Sequence, residues 1–226
     1  MIKNISNLGD SALYCDFGKE VNKDINLNVI NYFKSIKKKN ICGVINLTPS
    51  YNKLIITFDL NLTNFDILKE EIKKIKINEF KDNKNITIKV PICCDKDFAL
   101  DFKILESKLN STIDKIYSSF FEKKYFCYMT GFIAGMPFLG DLDKKLQTKR
   151  LETPRIKVPK GSVGITEQFC NIYTFESPGG WNIIGNTPIE IFNKSNLSNP
   201  ALINPGDFVS FYKITKKEYD DWNEKK

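Results

Sequence analysis

The chain has 226 residues, of which 42% are hydrophobic and 17 are phenylalanine, enough for one large domain or two small ones. Its 34 basic and 27 acidic residues leave a formal charge of +7, but the lysines are spread along the chain and interleave with Asp, Glu and Asn; with no basic stripe carrying aromatics, nucleic acid is excluded as the expected partner. Histidine is absent, which excludes every mechanism built on an imidazole and leaves carboxylates, lysines, tyrosines and cysteines for proton transfer.

In chain order, residues 12 to 17 (ALYCDF) read as a strand. Residues 24 to 38 carry Ile25, Val29, Ile30, Phe33 and Ile36 at helical spacing, with Lys37, Lys38 and Lys39 in the last turn, where the helix dipole favours cations. Two β-rich runs, 42 to 48 and 53 to 59, are joined by a Pro-Ser-Tyr-Asn turn. A second helix starts near Thr63-Asn64, places Phe65, Leu68, Ile72 and Ile75 on one face and sets Glu70 opposite Lys74 as an i,i+4 pair. These elements predict an α/β sandwich over residues 1–84, large enough to fold alone. The polar stretch 78 to 85 reads as a linker to a second domain over residues 85–226.

The second part opens with a strand at 86 to 92 and a helical stretch. Ser111-Thr112-Ile113-Asp114 matches a capping box, and Ile113, Ile116, Tyr117, Phe120 and Phe121 form an apolar helical face suited to a core. From Tyr125 onward the runs at 125–130, 162–166, 171–176, 181–185, 189–192 and 208–214 read as short strands separated by Gly and Pro turns, the spacing of a closed barrel or a sandwich. Cysteines 15, 42, 93, 94, 127 and 170 contain no CxxC pair, and Cys93 and Cys94 point to opposite faces of a strand. Reduced thiols in a cytoplasmic protein are expected, with no metal site, no signal peptide and no membrane span.

Residues 131 to 188 hold eight of the 12 glycines, five of the nine prolines and both arginines, Arg150 and Arg155, in a chain whose other basic residues are all lysine. A planar fork that grips carboxylate or phosphate is therefore singled out at two places. Four pieces stand out: Gly131 to Leu139, Thr153 to Val163, Glu176-Ser177-Pro178-Gly179-Gly180-Trp181, and the turn Asn204-Pro205-Gly206-Asp207. Each is either a barrel turn or part of a clamp. Arg155 and Lys157 point the same way if their segment is extended, and with Glu176, Ser177, Gly179, Gly180 and Trp181 they make a set that would hold a carboxylate-bearing or phosphorylated ligand. Glu176 serves equally well as the salt-bridge partner of Arg155. No nucleotide fingerprint occurs.

These pieces, in this order, resemble the PxpB/KipI family, also called allophanate hydrolase subunit 1. The family pattern GFxPGFxYL, TPRxxVPxGSV, YxxESPGGWxxIGxTP and PGD is met at Gly131 to Leu139, Thr153 to Val163, Tyr173 to Pro188 and Pro205 to Asp207, and Gly9 to Leu13 and Pro91 to Phe102 also match. The resemblance implies an α+β chain: a small N-terminal α/β sandwich followed by a cyclophilin-like β-barrel. It implies the B component of an ATP-dependent 5-oxoprolinase that converts 5-oxo-L-proline to L-glutamate. The chain would act only with a PxpC-type (allophanate hydrolase subunit 2-like) and a PxpA-type subunit, ATP being consumed by the complex. It leaves open a KipI-like inhibitor of a sensor histidine kinase, or a subunit of a related complex of the allophanate hydrolase or urea carboxylase kind. Carried over, Arg155 holds a carboxylate or phosphate, Glu176 orients it or acts as acid/base, and Trp181 forms an apolar wall. The chain departs from the pattern at Ala134 and Met136, at Phe120 where the family has histidine, and at Phe169 where it has glutamine. Those two phenylalanines are expected to make the pocket more apolar, at the expense of proton transfer and hydrogen bonding.

Overall fold

The computed structural model describes residues 1–77 and 87–224, and the chain divides into two compact units, Met1–Lys84 and Asn85–Lys226. The expected linker 78 to 85 lies outside the described residues.

The first unit is a four-stranded antiparallel sheet, order β1-β2-β4-β3, with two helices. Its elements are β1 (Asn4–Asn7), β2 (Ala12–Asp16), α1 (Lys23–Lys39), β3 (Val44–Pro49), β4 (Lys53–Phe58) and α2 (Phe65–Lys73). Both helices are delimited locally. Asn22 and Asn64 accept hydrogen bonds from the N–H groups of Ile25 and Ile67, at 2.9 and 3.0 Å, and Asn40 ends α1 in the left-handed region at φ 49°. The alternating residues Leu13 and Cys15, and Leu54, Ile56 and Phe58, meet Val29 and Ile36 of α1 and Leu68 and Ile72 of α2 in one core. The apolar faces read from periodicity are the buried ones. The Glu70–Lys74 pair is corrected: Glu70 binds Lys73 at 2.8 Å, because Lys74 is the C-cap residue, where the helix is ending. Strand β1 carries too little apolar sequence to stand out by periodicity.

Asp16 and Lys53 face each other across β2 and β4, with Nζ 2.6 Å from Oδ1. The hydrogen bond from Lys53, aided by that from the Gly18 N–H, holds the Asp16 carboxyl below the usual carboxylate range. A group depressed in the folded state stabilises above its unfolded pKa and loses that contribution as pH falls through its folded pKa. Urea titrations of wild type should therefore show a loss of first-unit stability setting in below about pH 4. The loss should be shallower in Lys53→Met; identical slopes would dismiss the pair as a stabilising element.

The second unit is a closed barrel of seven strands in the order β10-β7-β6-β13-β5-β12-β9, of the class the resemblance implies. The strands and helices in chain order are β5 (Thr87–Cys93), α3 (Phe102–Leu109), α4 (Ile113–Phe121), β6 (Lys124–Thr130), β7 (Pro137–Gly140), β8 (Arg155–Val158), β9 (Ser162–Thr166), β10 (Phe169–Ile172), β11 (Ser177–Gly179), β12 (Asn182–Asn186), β13 (Phe208–Ile214) and α5 (Lys216–Glu224). β5 runs parallel to β13 along its whole length but meets β12 only at Cys93, so Pro91 is tolerated inside it. β8 and β11 form a separate two-stranded ribbon. Tyr125, Cys127, Val163, Ile165, Val90, Ile92, Val209 and Phe211 fill the barrel together with Ile116, Tyr117 and Phe120 of α4.

Four local readings change. The capping box at Ser111–Asp114 is not formed: the Ile113 N–H is taken instead by Glu106 Oε1 of α3 at 2.8 Å. The run 171–176 is a strand only to Ile172, because Tyr173 pairs its N–H and carbonyl with Ser162 and Gly161 instead of extending β10. The run 189–192 forms only an isolated bridge, Phe192 to Ala201. Helix α5 is an addition to the elements read from sequence, although its start is a true capping box, Glu218 N to Thr215 Oγ1 and Thr215 N to Glu218 Oε2. No helix among the described residues is long and apolar enough to cross a membrane.

Candidate functional site

Pro154 keeps the chain extended into β8, whose first residue is Arg155. The guanidinium of Arg155 meets the carboxylate of Asp101 fork to fork, Nη1–Oδ2 3.0 Å and Nη2–Oδ1 2.5 Å. Asp101 is fully buried, just before α3, and is held from all sides. Its Oδ2 also accepts from the Ile183 N–H at 2.7 Å, its own N–H bonds Ile183 O at 3.1 Å, and its carbonyl accepts from Leu105 at 2.9 Å. One buried carboxylate thereby ties α3, β12 and β8 together.

This corrects the alternative pairing of Arg155 with Glu176. Glu176 binds Lys157 instead, at 3.0 Å, with both side chains more than half exposed, a contact of little energetic weight. The reason is register. β8 and β11 pair Arg155 with Gly179 and Val158 with Ser177, with a bulge between, so Glu176 falls beyond the Val158 end of the ribbon, away from Arg155. The bulged ribbon also separates Arg155, half-buried against Asp101, from the exposed Lys157, although alternation in an extended segment puts them on one side.

The segment before β8 carries the groove. Thr148 O accepts from Glu167 N at 2.7 Å and Thr166 Oγ1 at 3.2 Å; Lys149 O accepts from Asn182 Nδ2 at 3.0 Å and Lys108 Nζ at 3.3 Å; Leu151 N donates to Gly180 O at 2.7 Å. With its backbone pinned, this segment and α3 enclose an open groove of about 620 Å³ lined by Ile104, Lys108, Lys149, Arg150, Glu152 and Arg155 among others. Beneath it, Arg150 places its guanidinium carbon 5.9 Å from the ring centre of Trp181, and Trp181 meets Phe138 edge-on at 5.7 Å.

Of the residues expected in the site, Arg155 lines the groove, while Gly180 and the buried Trp181 support it from below. Gly179 packs elsewhere, with its Cα against the hydroxyl of Tyr173. Ser177 is buried and its hydroxyl has no partner among the described residues; with Lys157 and Glu176 it is outside the groove lining. Phe120 and Phe169 are outside it too. Phe120 is in the barrel core and Phe169 packs edge-on against Tyr128 at 5.7 Å, so neither makes the groove apolar. The residues missed in the sequence are Asp101, Lys108 and Lys149. Arg150 is marked there by its rarity in a lysine-rich chain but given no role.

A Cβ added at Gly179 would sit 2.1 Å from the Tyr173 hydroxyl and 2.8 Å from its ring. Gly179→Ala is expected to lower stability by about 2 kcal/mol through overpacking, read by thermal melting. Adding Tyr173→Phe should restore part of the loss; strict additivity in that double-mutant cycle would exclude this contact as the cause.

A family model described as carboxyltransferase domain, subdomain C and D, matches residues 3–203. The chain is similar to the B component of the 5-oxoprolinase of Bacillus subtilis (strain 168), 28% identical over 97% of this chain and 96% of the relative. It is also similar to the urea amidolyase of Saccharomyces cerevisiae, 23% identical over 96% of this chain and 13% of that protein. Among solved structures, TTHA0988 shares the fold with a TM-score of 0.82 at 24% identity, covering 90% of this chain, which spans 40% of that protein's length.

Proposed function

Since the chain belongs to the carboxyltransferase subdomain C and D family, and within it to the PxpB group, we propose that it is the B component of an ATP-consuming 5-oxoprolinase, acting with PxpC-type and PxpA-type partners to open 5-oxo-L-proline to L-glutamate. The observation that carries this reading is the end-to-end likeness to a relative named as the B component of a 5-oxoprolinase, 97% of one chain on 96% of the other. The groove supports it. Its cations suit an anionic group of the kind an ATP-consuming reaction handles, and its backbone is held by hydrogen bonds before any ligand arrives. Glu152 is the acid on its lining; Glu176, bound to Lys157 outside it, is not positioned to move a proton there. An inhibitor of a histidine kinase would be favoured by loss of pocket chemistry at Phe120 and Phe169, but both lie outside this groove. A second reading, a related amide as substrate of a similar complex, is favoured by the likeness to urea amidolyase.

The test is reconstitution. The chain alone should release no glutamate from 5-oxo-L-proline and ATP, and the three subunits together should. Silence from the full complex would end the 5-oxoprolinase reading, and turnover of a urea-derived amide in its place would establish the second.

A further inference from the structure

We propose that this groove takes a multiply charged phosphoryl anion and that Arg150, not Arg155, is the residue that grips it. Both terminal nitrogens of Arg155 are already engaged by Asp101. Turning them to a ligand would strip a fully buried carboxylate of its charged partner, so Arg155 is a wall of the site and not its hand. Arg150 differs in each respect. Among the described residues no carboxylate pairs with it, and its side chain is exposed on the groove lining. Its guanidinium rests on the face of Trp181, which Phe138 holds in turn. The backbone on either side is fixed through Lys149 O and Leu151 N. A planar fork on a rigid base is the geometry that binds phosphate oxygens two at a time.

Charge selects the ligand class. Lys108, Lys149, Arg150 and Arg155 on the lining face one acid, Glu152. With Arg155 balanced by Asp101, two positive charges remain in excess. A monocarboxylate leaves one of them uncompensated, whereas a phosphoryl dianion balances both and a polyphosphate offers at least that charge. This charge balance involves residues of this chain alone; that the phosphoryl group comes from ATP rests on the 5-oxoprolinase reading.

The chain has two tryptophans, so in a Trp222→Phe background the emission of Trp181 reports on the groove. Inorganic triphosphate and ATP should change that emission and give heat in calorimetry, with a response that weakens as salt is added. Acetate and 5-oxo-L-proline should give little. Arg150→Ala should weaken triphosphate binding by about tenfold or more by calorimetry, and Arg150→Lys should restore only part, since it returns the charge without the fork. Lys37→Ala, far off in the first unit's sequence, should change nothing. Circular dichroism confirms folding of each variant. Triphosphate binding that survives Arg150→Ala unchanged, or an equal response to acetate, would overturn the proposal. If the reconstituted complex is inert while triphosphate still binds through Arg150, only the 5-oxoprolinase reading falls. If glutamate is released and Arg150→Ala binds as wild type does, only this inference falls.

Discussion

Asp101→Ala is expected to destabilise the second unit by about 3–5 kcal/mol, the effect of breaking a buried ion pair from one side. Asp101 is fully inaccessible and gives its carboxylate to both arms of Arg155 and to the Ile183 N–H. Removing it leaves a guanidinium only 26% exposed without a counter-charge and a buried N–H without an acceptor. In urea titrations followed by Trp181 emission, and in calorimetry, the transition should move to lower denaturant and fall by about 10 °C. Asp101→Asn keeps the shape and loses the charge, and should be milder. The double variant Asp101→Ala/Arg155→Ala should be more stable than the sum of the single losses predicts, because it removes both halves of the pair. A loss below about 1 kcal/mol in Asp101→Ala would mean that the pair is incidental.

The second large effect is expected at Phe120. Its ring is fully buried, stacked between Tyr125 at 5.1 Å and Phe211 at 5.0 Å, and its carbonyl accepts from the Tyr125 hydroxyl at 2.8 Å. Phe120→Ala should lower stability by about 3–5 kcal/mol, the lost transfer energy of the ring plus the cavity it leaves. Phe120→His is the more discriminating variant, since the family resemblance puts histidine there. In this chain's aromatic core an imidazole has polar nitrogens and no partner provided for them, so it should destabilise by about 2 kcal/mol. If the proposed 5-oxoprolinase reading holds, it should leave glutamate release per folded complex unchanged. A histidine variant as stable as wild type and more active would show that position 120 faces a ligand.

What could be read without coordinates follows the range of the forces involved. Helices α1 and α2 were legible because their apolar stripes, the lysines that end α1 and the Asn64 start of α2 lie within a few residues of one another. Thr215 and Glu218 are equally local, but the helix they start buries little of its surface and so carries a weak apolar signal. The run 189–192 misled in the opposite direction: apolar residues after Pro188 fill space beside the barrel without pairing as a strand. The Glu70 pair failed by one residue because the helix ends at Lys74.

The amino-acid order alone determined the two-part α+β architecture and the family, and singled out two rare arginines, because periodicity, turns and composition are properties of neighbours along the chain. Which arginine pairs with a buried carboxylate was decided only in three dimensions. Asp101 lies 54 residues before Arg155 and was indistinguishable in sequence from any surface carboxylate, until the packing of α3 on β12 buried it beside the guanidinium. Burial and pairing depend on contacts between distant segments, and those contacts tied Arg155 to Asp101 and left Arg150 exposed on the groove lining.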